Sequence, residues 1–168
     1  IYDPAATPEG QNPTEYFSTR AQRIIRLISE PHAVGSGYDL DTRLRPSGSQ
    51  GLLVTSLAAF ARYHGVPLDK TAELGRPAVL SSGEAWERQA LLRARVAAGD
   101  PELGTRVLEV AHAAAYERGA APAGEVHRLR ARMERELAHE RAGRWNLKTG
   151  HGGLLDVEFA TQWLQMRH

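Results

Sequence analysis

The sequence predicts an α+β fold in which strands and helices mix up to about Gly99 and helices alone follow. Three observations carry this. Residues Tyr38 to Arg45 alternate apolar and charged with the period of two that a strand requires. Leu52 to Val54 is a short apolar run with the look of a buried strand, and Ile1-Tyr2-Asp3 reads as the end of another. Beyond Asp100 the apolar residues recur only at helical spacing.

In chain order, Ala5 to Asn12 is a polar loop, and Thr14 is the expected N-cap of a helix from about Glu15 to Ser29. Phe17, Ala21, Ile24 and Ile28 mark its apolar stripe, widened by Ile25 and Leu27. Glu30-Pro31-His32 ends that helix, and Gly35 to Gly37 leads into the strand at Tyr38. Thr55 or Ser56 caps a helix bearing Leu57, Phe60 and Tyr63, which Gly65 can end. Residues Val66 to Gly83 form a long irregular connection, after which Trp86, Ala90, Leu91 and Ala94 lie on one side of a further helix. Asp100-Pro101-Glu102 is a strong start: Asp as N-cap, Pro at the first position, an acid in the first turn. That helix buries Leu103, Val107, Val110 or Ala111, and Ala114, and stops at Gly119. The next runs from Gly124 to about Arg141 with a seam of Val126, Leu129, Met133 and Leu137. Its Arg128, Arg130, Glu134, Arg135 and Glu136 read as a solvated face of alternating sign. Trp145 to Gly153 is a glycine-rich turn into a last helix that repeats Leu155, Phe159, Gln162 or Trp163, and Met166. Met133, Trp86 and Trp163 read as core residues.

Composition excludes several classes. Of 168 residues, 21 are basic and 20 acidic, a net charge of +1 that gives no basic excess for nucleic acid. Cysteine is absent, which excludes disulfide and thiolate chemistry and fits a cytoplasmic protein. No stretch has the length of a membrane span and no signal sequence opens the chain. A start at Ile1, already apolar, suggests a piece of a longer protein.

The candidate chemistry sits on the alternating stretch. A strand over Tyr38–Arg45 puts Asp39, Asp41, Arg43 and Arg45 on one face and Tyr38, Leu40, Thr42 and Leu44 on the other. Two carboxylates and two guanidiniums in a row suit a divalent metal and a polyphosphate held together. They equally suit a solvated sheet face with its charges paired. Spacing alone leaves both open.

Four stretches in this order resemble one family: Y-D-L-D-T-R-L-R-P-S-G from Tyr38 to Gly48; G-L-L-V-T-S from Gly51 to Ser56; Glu84 to Arg95 followed by Gly99-Asp100-Pro101; and Gly152 to Phe159. Together they resemble the bifunctional glutamine synthetase adenylyltransferase/adenylyl-removing enzyme, as a truncated fragment of one nucleotidyltransferase half. The resemblance implies a partial nucleotidyltransferase (polymerase-β-like) mixed sheet with helices, then an all-helical segment. Residues 1–99 would be the C-terminal part of the catalytic domain and 100–168 the beginning of a helical domain. It implies transfer of AMP from ATP to a tyrosine of glutamine synthetase in nitrogen assimilation, with Mg²⁺, and a PII-type signalling protein as a further partner. Arg43 to Gly48 is similar to the adenylylating half, Ser47 being the position that differs in the phosphorolytic, AMP-removing half.

By the same resemblance Asp41 is the third metal-binding and catalytic carboxylate, Asp39 a second candidate ligand, and Arg43, Arg45 and Ser47 lie near the triphosphate. The family's first two carboxylates belong to a G-S-x-D-x-D motif not found in these residues, so 1–168 alone is expected to be inactive. A non-catalytic docking module is the rival from another class. Lys148, Gly152, Gly153, Asp156 and Glu158 fall in the family's later motif. Backbone geometry accounts for the glycines; for Asp156 and Glu158, dipole capping and a bridge to the catalytic domain both stand.

Overall fold

The computed structural model describes residues 1–31, 33, 35–68, 85–117 and 119–167. Among them are six α-helices: α1 Pro13–Ser29, α2 Leu57–Tyr63, α3 Ala85–Leu91, α4 Pro101–His112, α5 Ala123–Leu137 and α6 Leu154–Arg167. A π-helical segment, Ala113–Glu117, follows α4, and short 3₁₀ turns occupy Pro4–Ala6 and Gly48–Gln50. The expected α+β class is corrected here: the described residues hold no strand and no sheet, only isolated bridge positions, among them Tyr2 with Ser56 and Arg141 with Arg144. The polymerase-β-like mixed sheet is therefore absent from them.

The reason is the want of a ladder. Alternation shows that a segment can be a strand; a strand exists only when a neighbour accepts and donates its backbone hydrogen bonds. Among the described residues Tyr38–Arg45 has no such neighbour. Its backbone is held by the end of α1, through Tyr38 N–H to the Ile28 carbonyl at 2.9 Å, and by its own side chains. Leu52, expected in a buried strand, is 67% exposed. The end of a strand expected at Ile1-Tyr2-Asp3 amounts to one parallel bridge, with Tyr2 N–H on the Thr55 carbonyl at 3.0 Å and Leu57 N–H on the Tyr2 carbonyl at 3.2 Å.

Chain contacts divide the described residues into two units, the first drawn from 1–83 and 96–110, the second from 84–95 and 111–168. In the first unit Asn12, rather than Thr14, caps α1, its Oδ1 accepting from Glu15 N at 3.2 Å. Pro13 then takes the first position, where its missing N–H costs nothing. Thr14 instead meets the buried Tyr2, whose hydroxyl lies 2.9 Å from Thr14 Oγ1 and whose ring stacks on Phe17 at 4.7 Å between centroids. Ser56 caps α2 through Ala59 N, and Leu57, Phe60 and Ala61 are buried. Gly65 ends it at φ +67°, the left-handed conformation that suits glycine. Asp100 caps α4 as expected, Oδ1 taking Leu103 N at 2.8 Å. The irregular connection expected over Val66 to Gly83 lies mostly outside the described residues.

In the second unit Ala114, Ala115, Ala121 and Met166 are buried, and the amides of Gln89 and Gln162 join at 2.8 Å inside. The indole of Trp163 donates to the Ala121 carbonyl at 2.8 Å. Helix α5 stops at Leu137, short of the expected Arg141. Asn146 Nδ2 reaches back to the Ala138 carbonyl at 3.2 Å, and His139 turns to φ +47°.

Candidate active site between Asp41 and Gly51

Gly37 starts the segment. A Cβ there would run into the Ser29 carbonyl at the end of α1, so only glycine lets the chain fold back this closely. Tyr38 then docks on that helix end, its carbonyl accepting from Ser29 Oγ at 3.1 Å. Asp41 closes a local turn. Its Oδ1 accepts from the Arg43 backbone N–H and from Arg43 Nε, each at 2.9 Å, and its Oδ2 from the second guanidinium nitrogen at 2.6 Å. This is the two-pronged carboxylate–guanidinium fork, and it stands in water, with the two side chains 61% and 80% exposed.

The shared face of four charges does not form. Asp41 and Arg43 meet each other, while Asp39 is exposed and makes no ion pair with a described residue. Arg45 turns back onto Thr42, the side chain that alternation assigned to the opposite face, reaching its carbonyl and, at 3.1 Å, its hydroxyl. The other guanidinium nitrogen of Arg45 lies 3.5 Å from the carbonyls of Ser49 and Gly51. Pro46 to Gly51 curls into a turn with Ser47 at φ +62° and Gly48 at φ +54°. Ser47 is exposed and lines a cavity of about 560 Å³ together with Tyr2, Thr14, Gln50, Thr55 and Ser56 and the apolar Leu52 and Val54. Thr42 was missed because the strand reading set it on the opposite face, and the cavity residues because they come from separate segments of the chain. The Pro46-Ser47-Gly48 turn was the available signal that the chain bends.

Hydrogen bonds from the Arg43 side chain and then its backbone, with the attraction of its charge, hold the Asp41 carboxyl well below the usual carboxylate range; the same pairing raises Arg43. A carboxyl depressed in the folded chain contributes stability above its unfolded pKa of about 3.9 and loses it as pH falls through the folded value. Carbon-detected NMR of the Asp41 carboxyl should accordingly show it still ionised at pH 3.5, and Arg43→Ala should return it to the ordinary range. A midpoint near 3.9 in the unaltered chain would show that the fork does not persist in solution.

The arrangement bears directly on metal binding. Both Asp41 oxygens already face Arg43, and among the described residues no three His, Cys, Asp or Glu side chains cluster to hold a cation. The described residues alone do not fit a magnesium ion. In the later motif, Asp156 Oδ2 accepts from Gly152 N at 2.6 Å while Oδ1 lies 2.7 Å from Arg130 Nε. Glu158 pairs with Arg93 at 2.6 Å and accepts from Gln162 at 3.1 Å. One acid thus completes its own loop and the other ties α6 to the segment after α3.

The family model for glutamate-ammonia ligase adenylyltransferase matches residues 1–110, which contain the whole of this site. The chain belongs to that family. As an adenylyltransferase it is a nucleotidyltransferase by class, and glutamate-ammonia ligase, that is glutamine synthetase, is the protein substrate that the family name gives. The match includes α1, α2, α3 and most of α4; α5, α6 and the Gly152–Phe159 motif lie beyond it. Among the described residues no helix is long and apolar enough to cross a membrane.

Proposed function

We propose that this glutamate-ammonia ligase adenylyltransferase chain serves in moving AMP from ATP to a tyrosine of glutamine synthetase, in the adenylylating half of a two-activity enzyme of the cytoplasm. The observation that carries the reading is the Asp41–Arg43 fork beside the Arg45–Gly51 turn, inside the matched residues. In such transfers catalysis is mainly positioning and charge neutralisation at in-line oxygens. Arg43 and Arg45 are the cations suited to the triphosphate, and Ser47 stands exposed at the adjoining cavity. Asp41 would serve as a metal-binding carboxylate if it gave up its fork with Arg43 and further carboxylates of the G-S-x-D-x-D type joined it, with Asp39 as a second candidate ligand. Mg²⁺, ATP and a PII-type signalling protein complete the proposal.

Because the sequence contains no G-S-x-D-x-D motif, residues 1–168 alone are expected to transfer no AMP. The test is incorporation of labelled AMP into glutamine synthetase. A longer polypeptide that supplies the missing carboxylates should be active, and Asp41→Asn within it should lower the rate at least about a hundredfold, no less than the loss typical of a metal site's outer partners. Transfer by 1–168 alone, or full activity of the Asp41→Asn form, would overturn the assignment. Phosphorolytic removal of the adenylyl group as ADP by the longer polypeptide, without transfer, would place it in the removing half.

A further inference from the structure

We infer that the second unit carries an anion site of its own, a groove along α5 that takes a small polyphosphate. The groove holds about 510 Å³, a size that suits a small organic or phosphate ligand. Arg128, Arg132 and Arg135 line it, and their spacing of four and three residues puts them on one face of α5. Val126, Leu129 and Ala131 supply apolar lining, with Trp86 and Gln89 from α3. Trp86, expected in the core, is 37% exposed.

What sets this face apart is three arginines lining one groove. Elsewhere in the second unit Arg93 pairs with Glu158, and Arg130 with Asp156 and Glu134. Arg128, Arg132 and Arg135 form no ion pair with any described residue. Like charges at this spacing repel, so the stripe slightly weakens α5 unless an anion joins them. Among the described residues Glu125 is the one carboxylate lining the groove against three guanidiniums, with His127 beside it. A concave wall of net positive charge with apolar parts concentrates its field on whatever enters. Guanidinium forks match phosphate oxygens, and the groove is short enough for two or three phosphates, not for a long polymer.

The inference goes beyond the proposed transfer, because the groove and the Asp41–Gly51 site belong to different units. The test is calorimetric titration of the 168-residue chain with pyrophosphate at low salt. One site is expected that survives Arg43→Ala/Arg45→Ala and weakens at least about tenfold, or 1.4 kcal/mol, in Arg128→Ala/Arg132→Ala. Raising the salt should weaken it as well. The arginines are exposed, so these changes should leave the helical circular dichroism intact; Arg135→Gln is a second, milder variant that should also weaken binding. Tighter binding of ADP than of pyrophosphate would assign the groove to nucleotides, and equal or weaker binding to inorganic polyphosphate. Absence of pyrophosphate binding, equal binding by the groove variants, or its loss with Arg43 and Arg45 would each overturn the inference.

Discussion

Replacing Arg130 with alanine is expected to destabilise the chain by about 3 kcal/mol, the low end of the range for removing one member of a buried ion pair. Its side chain is 7% exposed and meets three kinds of partner. Nε lies 2.7 Å from Asp156 Oδ1, an ionic contact whose N–H is not aligned as a hydrogen bond, and the Glu134 carboxylate lies 3.6 Å from the guanidinium. One nitrogen also donates to the carbonyls of Thr149 and Gly150, at 3.1 and 2.8 Å. The arginine therefore joins α5 to the Trp145–Gly153 turn and to the start of α6. Removing it takes the arginine donor from the Thr149 and Gly150 carbonyls, of which Gly150 keeps the Gly153 N–H at 3.0 Å, and takes the guanidinium from two carboxylates. Those carboxylates are about a third exposed and can rehydrate, which keeps the loss from the upper end of the range. For a chain of this size the melting temperature should fall by roughly 6–12 °C. Asp156→Asn keeps the volume and leaves Arg130 with Glu134 and both carbonyls, so a smaller loss is expected, about 1–2 kcal/mol. Arg130→Ala melting within two degrees or so of the unaltered chain would show that the clamp is not formed.

Arg130 also shows what a sequence can and cannot convey. Helical spacing located α1, α2, α4 and α6 well, because caps and apolar repeats are local and act before tertiary packing. Asp100, Ser56 and Gly65 did what their chemistry predicts. Arg130 was assigned to water by residue type, yet it follows Val126 by four and precedes Met133 by three, squarely on the buried seam. A long apolar stem lets such a residue enter the interior when acceptors await its head. Apart from Glu134, four residues on, those acceptors are Thr149, Gly150 and Asp156, too far along the chain to leave a local mark. The strands failed for the same reason: a ladder is a property of two segments, and Tyr38–Arg45 states only half of it. At the candidate site the family motif offered Asp41 and Arg43 as candidates, while their pairing, Arg45's return to Thr42 and the cavity beside Ser47 depend on a turn whose path the motif does not state.

Gly51→Ala is expected to open that turn and to reduce the stability of the first unit by about 1–3 kcal/mol, the usual cost of forcing extra atoms into a filled space. Backbone angles are not the reason: Gly51 sits at φ −80°, which any residue adopts. The obstacle is contact, since a Cβ there would strike the Pro46 carbonyl oxygen and come within 3.2 Å of Ser47 Cβ. Both obstructing groups belong to the turn itself, so relief requires Pro46 and Gly51 to separate. That separation strains the hydrogen bonds from Gly51 N–H to the Gly48 carbonyl at 3.2 Å and from Gln50 N–H to the Ser47 carbonyl at 3.2 Å. It also moves two of the carbonyls grouped around Arg45 and displaces Ser47 from the cavity mouth. Amide exchange at Gln50 and Gly51 should accelerate markedly, and AMP transfer by a longer active polypeptide should fall with it. Gly10→Ala is the matched comparison. It has positive φ and no atom within 4 Å of the added carbon, so it carries only the backbone cost of about 1 kcal/mol and should leave Gln50 exchange unchanged. If Gly51→Ala matches the unaltered chain in exchange and melting, the Pro46–Gly51 contact is not held in solution. Ser47 would then have no fixed place beside Arg45.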